Sequence, residues 1–262
     1  MTAAHLLFST FSFIFGAVVG SFLNVCIYRL PRHESVVFPP SHCPNCDYRI
    51  RWYDNVPVLS YLLLGGKCRS CKTPISVQYP VVELINGFLT LFLFLRFGPS
   101  FGFAVLFIFC SALVTITFID LEHQIIPDVI TLPGIVIGFI ISFFIPQLGW
   151  LNSLLGILAG GGSLLIVAYG YELLTKKEGM GGGDIKLLAM MGAFLGWKSI
   201  LFIIFAASLI GSVVGIALMV AQKKDSKLAI PFGPFLAGAA IIYIFFGRTI
   251  ILWYLGTVSG IR

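Results

Sequence analysis

The chain has 262 residues, of which 58% are apolar and only 11% are Asp, Glu, Lys or Arg, and its mean hydropathy is +0.99. A soluble globular protein carries about 25% charged and about 45–50% apolar residues, so this composition excludes a soluble fold, a disordered chain and a basic nucleic-acid-binding protein. The net charge of +6 comes from 17 cations against 11 anions. In a membrane protein such an excess encodes orientation, so we expect a polytopic membrane protein with no nucleic-acid partner.

Long continuous apolar runs recur along the sequence, unlike the short alternating strands of an outer-membrane barrel. A helix needs about 20 apolar residues to span a bilayer. The runs therefore predict an all-α protein with about eight transmembrane helices, of which the sixth is too short to span alone unless it is tilted or extended. They lie at residues 6–28, 79–95, 101–119, 129–146, 152–173, 186–197, 199–221 and 230–247.

The positions of Lys and Arg predict which helix ends face the cytoplasm. With the N-terminus outside, the inside segments and their borders hold thirteen of the 17 cations. Cytoplasmic loops carry such an excess of Lys and Arg. We therefore predict both chain termini outside and four segments inside. These segments are residues 29–78, 120–128, 174–185 and 222–229.

Residues 29–78 form the only stretch long enough for an independent fold outside the membrane. The sequence thus predicts a first transmembrane helix at residues 1–28, a cytoplasmic loop domain at residues 29–78, and a membrane-embedded domain at residues 79–262.

Two C-x-x-C pairs, Cys43/Cys46 and Cys68/Cys71, lie in the loop domain. Four thiolates at this spacing match tetrahedral Zn²⁺ with Zn–S bonds of about 2.3 Å. Two disulfides are an alternative, but the loop is predicted in a reducing compartment. A catalytic redox pair would need a thioredoxin-like context, which the sequence lacks. We expect a structural zinc site whose metal supplies most of the folding energy of the loop.

Three aspartates lie at the cytoplasmic ends of predicted helices. Asp120 ends the third span, where an anion opposes the helix dipole, and Asp128 follows Pro127 as a plain N-cap would. Asp184 follows Gly181–Gly183, a glycine run longer than a cap requires. Two aspartates brought together here would share a proton, so that one activates water and the other donates to a peptide carbonyl. From the residues alone, isolated caps and glycine-mediated helix packing remain alternatives to this dyad.

The sequence Gly181-Gly182-Gly183-Asp184 fits the G-x-G-D signature of intramembrane aspartic proteases, and the fuller set of motifs resembles the type 4 prepilin peptidases, which are bifunctional leader peptidase/N-methyltransferases. The matching segments are residues 20–31, both C-x-x-C pairs, and residues 79–84, 120–128 and 179–186. The resemblance implies that Asp120 and Asp184 are the catalytic aspartates. The candidates that it suggests for the substrate-binding loop are Gly181, Gly183 and Lys186, and those for methyl transfer are Glu83, Asn24 and Arg29.

The resemblance also implies an activity and its participants. The family cleaves prepilins and type II secretion pseudopilins at the cytoplasmic face of the bacterial inner membrane, after a Gly and just before a hydrophobic helix. It then methylates the new N-terminal amine with S-adenosylmethionine. The implied cofactors are structural Zn²⁺ and S-adenosylmethionine, and the implied partners are prepilins, pseudopilins and membrane lipid.

Other functions fit part of the pattern. A cation-coupled transporter also uses intramembrane carboxylates, but it would cluster them near the bilayer midplane. A zinc metalloprotease needs an H-E-x-x-H helix, which the four histidines do not form. A G-x-G-D peptidase of other membrane substrates, without methyltransferase activity, stays open. The glycines near residue 160 suit dimerisation and internal packing equally, and they are Gly156, Gly160, Gly161 and Gly162.

Overall fold

A computed structural model describes residues 3–176, 181–222 and 230–259 of the chain. Within these residues the secondary structure is helical and contains no strand. The helices are α1 (Ala3–Arg29), α2 (Leu59–Leu63), α3 (Gln78–Phe97), α4 (Phe101–His123), α5 (Asp128–Ser142), α6 (Trp150–Thr175), α7 (Gly182–Leu195), α8 (Trp197–Gln222) and α9 (Gly233–Ser259). Some of the cations counted in the orientation argument lie outside the described part of the chain, namely Lys177, Lys223, Lys224, Lys227 and Arg262. The first two residues of the matching segment 179–186, Gly179 and Met180, also lie outside it.

Each predicted span corresponds to one helix, and α2 is a short helix inside the loop domain. In the part of the chain that the structure describes, five helices are long and apolar enough to cross a membrane, namely α1, α3, α4, α6 and α8. Helix α5 and the first part of α9 are shorter apolar helices, and α7 has only 14 residues. The all-α polytopic membrane fold is thereby confirmed.

The chain forms two compact units, residues 1–119 and 120–262, and the boundary falls inside α4. The core of the first unit comes from α1, α3 and α4, and it is formed by Leu23, Ile27, Val82, Val114 and Ile119. The proposed division into a first helix, a loop domain and a membrane-embedded domain stays a prediction.

In the second unit, α6 and α7 touch through their backbones. A Cβ atom built on Gly156 would lie 2.2 Å from the carbonyl oxygen of Gly192, and one on Gly160 would lie 2.5 Å from the carbonyl oxygen of Leu188. Ser153 adds a hydrogen bond of 2.8 Å to the carbonyl oxygen of Ala193. Glycine is required at this seam because any side chain would separate the helices. Gly156 and Gly160 therefore serve packing within the chain, and α7 is deeply buried.

Candidate functional site

Asp120 lies in the last turn of α4 and is only 5% exposed. Its Oδ2 accepts a hydrogen bond of 3.0 Å from the backbone N–H of Gly233, the first residue of α9. The N-terminus of a helix carries a partial positive charge and its C-terminus a partial negative one. The start of α9 therefore offsets the unfavourable place of Asp120 near the end of its own helix.

Asp184 is the third residue of α7, whose N-cap is Gly181 rather than an aspartate. Among the described residues, Oδ1 of Asp184 is the buried side-chain oxygen without a hydrogen-bond partner. An unmet buried acceptor costs about 1–3 kcal/mol, so such a group calls for a functional explanation. The charge of Asp120 acts on the carboxyl of Asp184. The two predicted aspartates are 64 positions apart in the sequence, yet they lie within electrostatic range of each other.

Ile126 fills the space next to both aspartates. A Cβ atom on Gly183 would lie 2.8 Å from Cβ of Ile126, closer than real atoms approach. A Cβ atom on Gly233 would lie 2.6 Å from Oδ2 of Asp120 and 3.3 Å from Cδ1 of Ile126. Glycine at these two positions therefore lets the first turns of α7 and α9 approach the loop between α4 and α5.

The other two glycines before Asp184 are under no such constraint. A Cβ atom on Gly181 would come no closer than 3.9 Å, to Oδ2 of Asp184, and one on Gly182 would meet nothing within 4 Å. Of the two glycines predicted for the substrate loop, only Gly183 is required by packing.

The N-cap prediction for Asp128 was wrong. Pro127 occupies the N-cap position with extended backbone angles, and Asp128 is the first residue of α5. Its carboxylate accepts hydrogen bonds of 2.8 and 2.7 Å from Nζ of Lys186. The carboxylate of Asp128 therefore binds Lys186 instead of capping the backbone N–H groups at the start of α5. It also places Lys186, predicted as part of a substrate loop, inside α7 with a carboxylate partner.

The site also contains Ile126 and Gly233, which were not predicted from the sequence. Gly233 had a weak signal, because Pro231 and Pro234 flank it and proline favours the first turn of a helix. Ile126 had none, since an apolar residue in a short loop looks ordinary.

The four cysteines of the loop domain form one cluster. Their sulfur atoms all lie within 4.8 Å of one another, with separations of 3.8 Å for Cys43–Cys71 and 4.0 Å for Cys46–Cys68. None is in a disulfide. A tetrahedron with Zn–S bonds of about 2.3 Å has sulfurs about 3.8 Å apart. The cluster therefore fits a tetrahedral metal ion.

The two C-x-x-C turns have the same backbone design. Cys43 N–H donates to Tyr48 O at 3.0 Å, and Cys68 N–H donates to Thr73 O at 2.9 Å. Asp47 and Lys72, each four residues after the first cysteine of its pair, have φ of 55° and 61°. Two equivalent knuckles thus present their sulfurs to one point.

Hydrogen bonding prepares one of these thiols for metal binding. Oγ1 of Thr73 lies 3.2 Å from Sγ of Cys71, and Nδ2 of Asn45 lies 3.7 Å from it. These contacts, with that of Thr73 the largest, lower the pKa of the Cys71 thiol to about 5. A lowered pKa favours the thiolate, which is the form that binds metals.

The three methyl-transfer candidates lie in the first unit and bond to its backbone. Oε2 of Glu83 accepts a hydrogen bond of 2.8 Å from the N–H of Val58. Asn24 donates to the carbonyl oxygens of Gly20 and Tyr79. The guanidinium of Arg29 donates to two carbonyl oxygens of the following loop, those of Ser35 and Pro39.

A cavity of about 370 Å³ lies beside α1 in the same unit, and Ser21, Arg29 and Asn55 contribute polar groups to its lining. Ser21 Oγ donates to Asn55 Oδ1 at 3.4 Å, and Ser21 also lies close enough to Glu83 to act on its carboxyl group. Ser21 therefore connects the cavity to the buried carboxyl of Glu83, whereas Asn24 does not line the cavity.

Comparison with known proteins identifies the family. Residues 14–97 match the bacterial peptidase A24 N-terminal domain, and residues 107–216 match the type IV leader peptidase family. A protein of Aeromonas salmonicida (strain A449) named prepilin leader peptidase/N-methyltransferase is 35% identical to this chain, and the match covers 96% of this chain and 95% of the relative. The protein of the same name in Pseudomonas aeruginosa is 36% identical, and that match covers 97% of this chain and 96% of the relative. The protein of that name in Myxococcus xanthus is 41% identical over 83% of this chain and 65% of its own length. No solved structure matches the chain significantly. The chain belongs to the type IV leader peptidase family.

Proposed function

We propose that this protein cleaves the leader peptides of type IV prepilins and type II secretion pseudopilins with Asp120 and Asp184, and then N-methylates the new N-terminus. The observation that supports the peptidase proposal is that the buried Asp120 and the partly buried Asp184 lie at helix ends within electrostatic range of each other, and that Oδ1 of Asp184 has no partner among the described residues. The membership of the family and the names of its relatives agree with it.

The contacts of the two aspartates suggest how they divide the reaction. The N–H of Gly233 stabilises a negative carboxylate at Asp120. We therefore assign Asp120 as the general base that takes a proton from water. The water oxygen attacks the scissile carbonyl carbon, and a protonated Asp184 donates to the carbonyl oxygen. When the tetrahedral intermediate breaks, the C–N bond cleaves, the departing nitrogen takes the proton from Asp120, and a hydroxyl group of the intermediate returns a proton to Asp184 as the carbonyl re-forms.

The location of the site suits this substrate class. The positive-inside bias supports a cytoplasmic position for the aspartates, in the inner membrane of a bacterium. A prepilin has its scissile bond just before a hydrophobic helix, so the bond reaches the membrane boundary when that helix is inserted. A peptidase needs an extended backbone, and the open space beside Gly181 and Gly182 could admit one. A transporter would not need these glycines next to a carboxyl pair at one membrane face.

For the methyl-transfer half, we assign the cavity beside α1. S-adenosylmethionine would supply the methyl group. Glu83, linked to the cavity by Ser21, would take the proton that the N-terminal amine must lose before it attacks. Arg29 lines the cavity and donates hydrogen bonds to the loop at residues 35–39, while Asn24 links α1 to the start of α3. We assign Zn²⁺ to the cysteine cluster as a structural ion.

One assay tests both halves. The purified protein in detergent is incubated with a type IV prepilin and methyl-labelled S-adenosylmethionine, and the N-terminus of the product is sequenced. We expect cleavage after the Gly that precedes the hydrophobic helix, followed by label on the new amine. An intact prepilin would refute the peptidase assignment. Cleavage without label, also on a pre-cleaved pilin, would leave a peptidase without methyltransferase activity.

A further inference from the structure

An ion pair connects the two segments that carry the aspartates. Nζ of Lys186 lies 2.8 and 2.7 Å from the two carboxylate oxygens of Asp128. Lys186 lies two positions after Asp184, and Asp128 begins the helix that follows the helix of Asp120. The pair therefore links the segment that follows Asp120 to the helix that carries Asp184.

Helix stability does not explain Lys186. A cation near a helix N-terminus is unfavourable because the helix dipole is positive there. Lys186 is the fifth residue of α7, whereas Asp128, as the first residue of α5, is favourably placed. The interaction with Asp128 gives Lys186 a role that its own helix does not.

The carboxyl of Asp184 is placed by the backbone that carries it. Its Oδ1 has no hydrogen-bond partner within the described ranges, so it does little to fix the side chain. The loop at residues 124–128 contacts α7 on both sides of Asp184, where Ile126 packs on Gly183 and Asp128 binds Lys186. A shift of this first turn would move the carboxyl relative to Asp120.

We infer that the Asp128–Lys186 ion pair positions Asp184 for peptide cleavage, an inference that rests on the proposed peptidase function. Asp128 and Lys186 are thus positioning residues, and neither touches the scissile bond. Misplacement of a catalytic group lowers the rate of the bound complex, whereas loss of a substrate contact weakens binding. The positioning role therefore predicts a fall in kcat with little change in KM.

The test compares prepilin cleavage by Lys186→Ala, Asp128→Asn, Lys186→Arg and the charge swap Asp128→Lys/Lys186→Asp, with Lys198→Ala on α8 as the matched control. Loss of an exposed ion pair changes an equilibrium constant by at most about fivefold, whereas displacement of a catalytic group can lower the reaction rate by up to about 100-fold. We expect kcat to fall about tenfold in the first two variants, and KM to stay within about twofold. Lys186→Arg and Lys198→Ala should keep kcat, and the swap should recover most of the loss.

Several outcomes would overturn the inference. The inference fails if both Lys186→Ala and Asp128→Asn keep the wild-type kcat, or if their effect is confined to KM. It also fails if the charge swap is no more active than the single variants. Thermal midpoints of all variants identify any that fail to fold, and Lys186→Arg against Lys186→Ala still decides the question if the swap is one of them. If the wild type leaves prepilin intact in the same assay, the proposed function fails and takes this inference with it.

Discussion

The backbone N–H of Gly233 donates a hydrogen bond of 3.0 Å to Oδ2 of Asp120, a residue 113 positions earlier in the chain. The carboxylate, which lies near the unfavourable end of α4, is thereby placed at the favourable end of α9. Any substitution except proline keeps this backbone donor. A side chain at residue 233 would nevertheless disturb the contact, because its Cβ atom would lie only 2.6 Å from Oδ2 of Asp120.

Replacing either aspartate by asparagine should abolish cleavage and leave a folded protein. The amide oxygen introduced at position 120 could still accept the hydrogen bond from Gly233, but neither amide can transfer protons. General acid–base catalysis contributes about 10²–10⁴-fold, so we expect kcat to fall at least about 100-fold in Asp120→Asn and in Asp184→Asn. The measurement is prepilin cleavage by purified variants, with Glu172→Gln, an exposed position on α6, as the control. Substantial activity in either purified aspartate variant would refute the dyad.

Gly233→Ala should impair catalysis far more than Gly238→Ala, which lies on the same helix. The new methyl group at residue 233 would lie 2.6 Å from Oδ2 of Asp120, whereas the one at residue 238 would meet nothing within 4 Å. Because a displacement of about 1 Å can cost about 100-fold in rate, we expect a loss of kcat between tenfold and that limit. Equal activity of the two variants in the cleavage assay would contradict the geometry at Asp120.

Within the G-x-G-D signature, Gly183→Ala and Gly182→Ala should differ in the same way. A methyl group on residue 183 would collide with Ile126, and one on residue 182 has free space. We expect Gly182→Ala to keep wild-type kcat and Gly183→Ala to lose about tenfold or more. Trimming the neighbour in the double variant Gly183→Ala/Ile126→Ala should restore part of the loss. A double variant as inactive as Gly183→Ala would show that the collision is not the cause.

Removing one ligand should release the proposed zinc ion. We expect Cys43→Ser to purify without zinc, and its loop domain to become sensitive to proteolysis, since structural zinc contributes about 10–16 kcal/mol in zinc-finger peptides. Zinc content by mass spectrometry and limited proteolysis check this. Cys26→Ser, a cysteine on α1 outside the cluster, should keep one zinc per chain. One equivalent of zinc in Cys43→Ser would show that Cys43 is not a ligand.

The sequence predicted the helices well because apolar length is enough to define a membrane span. All eight runs became helices, including the short run that became α7. The reason that α7 can be short is the glycine seam with α6, which buries it within the second unit. Composition alone does not reveal that pairing, since glycines suit internal and external contacts equally.

Only those parts of the site that depend on ionisable side chains could be predicted from the sequence. With only eleven acidic residues in the chain, position made Asp120 and Asp184 candidates, and the family resemblance then selected them. Gly233 could not, because its contribution is a backbone N–H that any residue except proline has. Asp128 was misread because local sequence favours a cap, and the competing partner Lys186 lies 58 positions away.

The unpartnered Oδ1 of Asp184 bears on inhibitor design. A hydroxyl group both donates and accepts hydrogen bonds. A peptide with a secondary alcohol in place of the scissile carbonyl would bring this group to a buried oxygen that lacks a partner in the described structure. Meeting such a group is worth about 1–3 kcal/mol. The affinity difference between that alcohol and its methylene analogue would measure the free energy that Oδ1 of Asp184 gains from a hydrogen-bond donor.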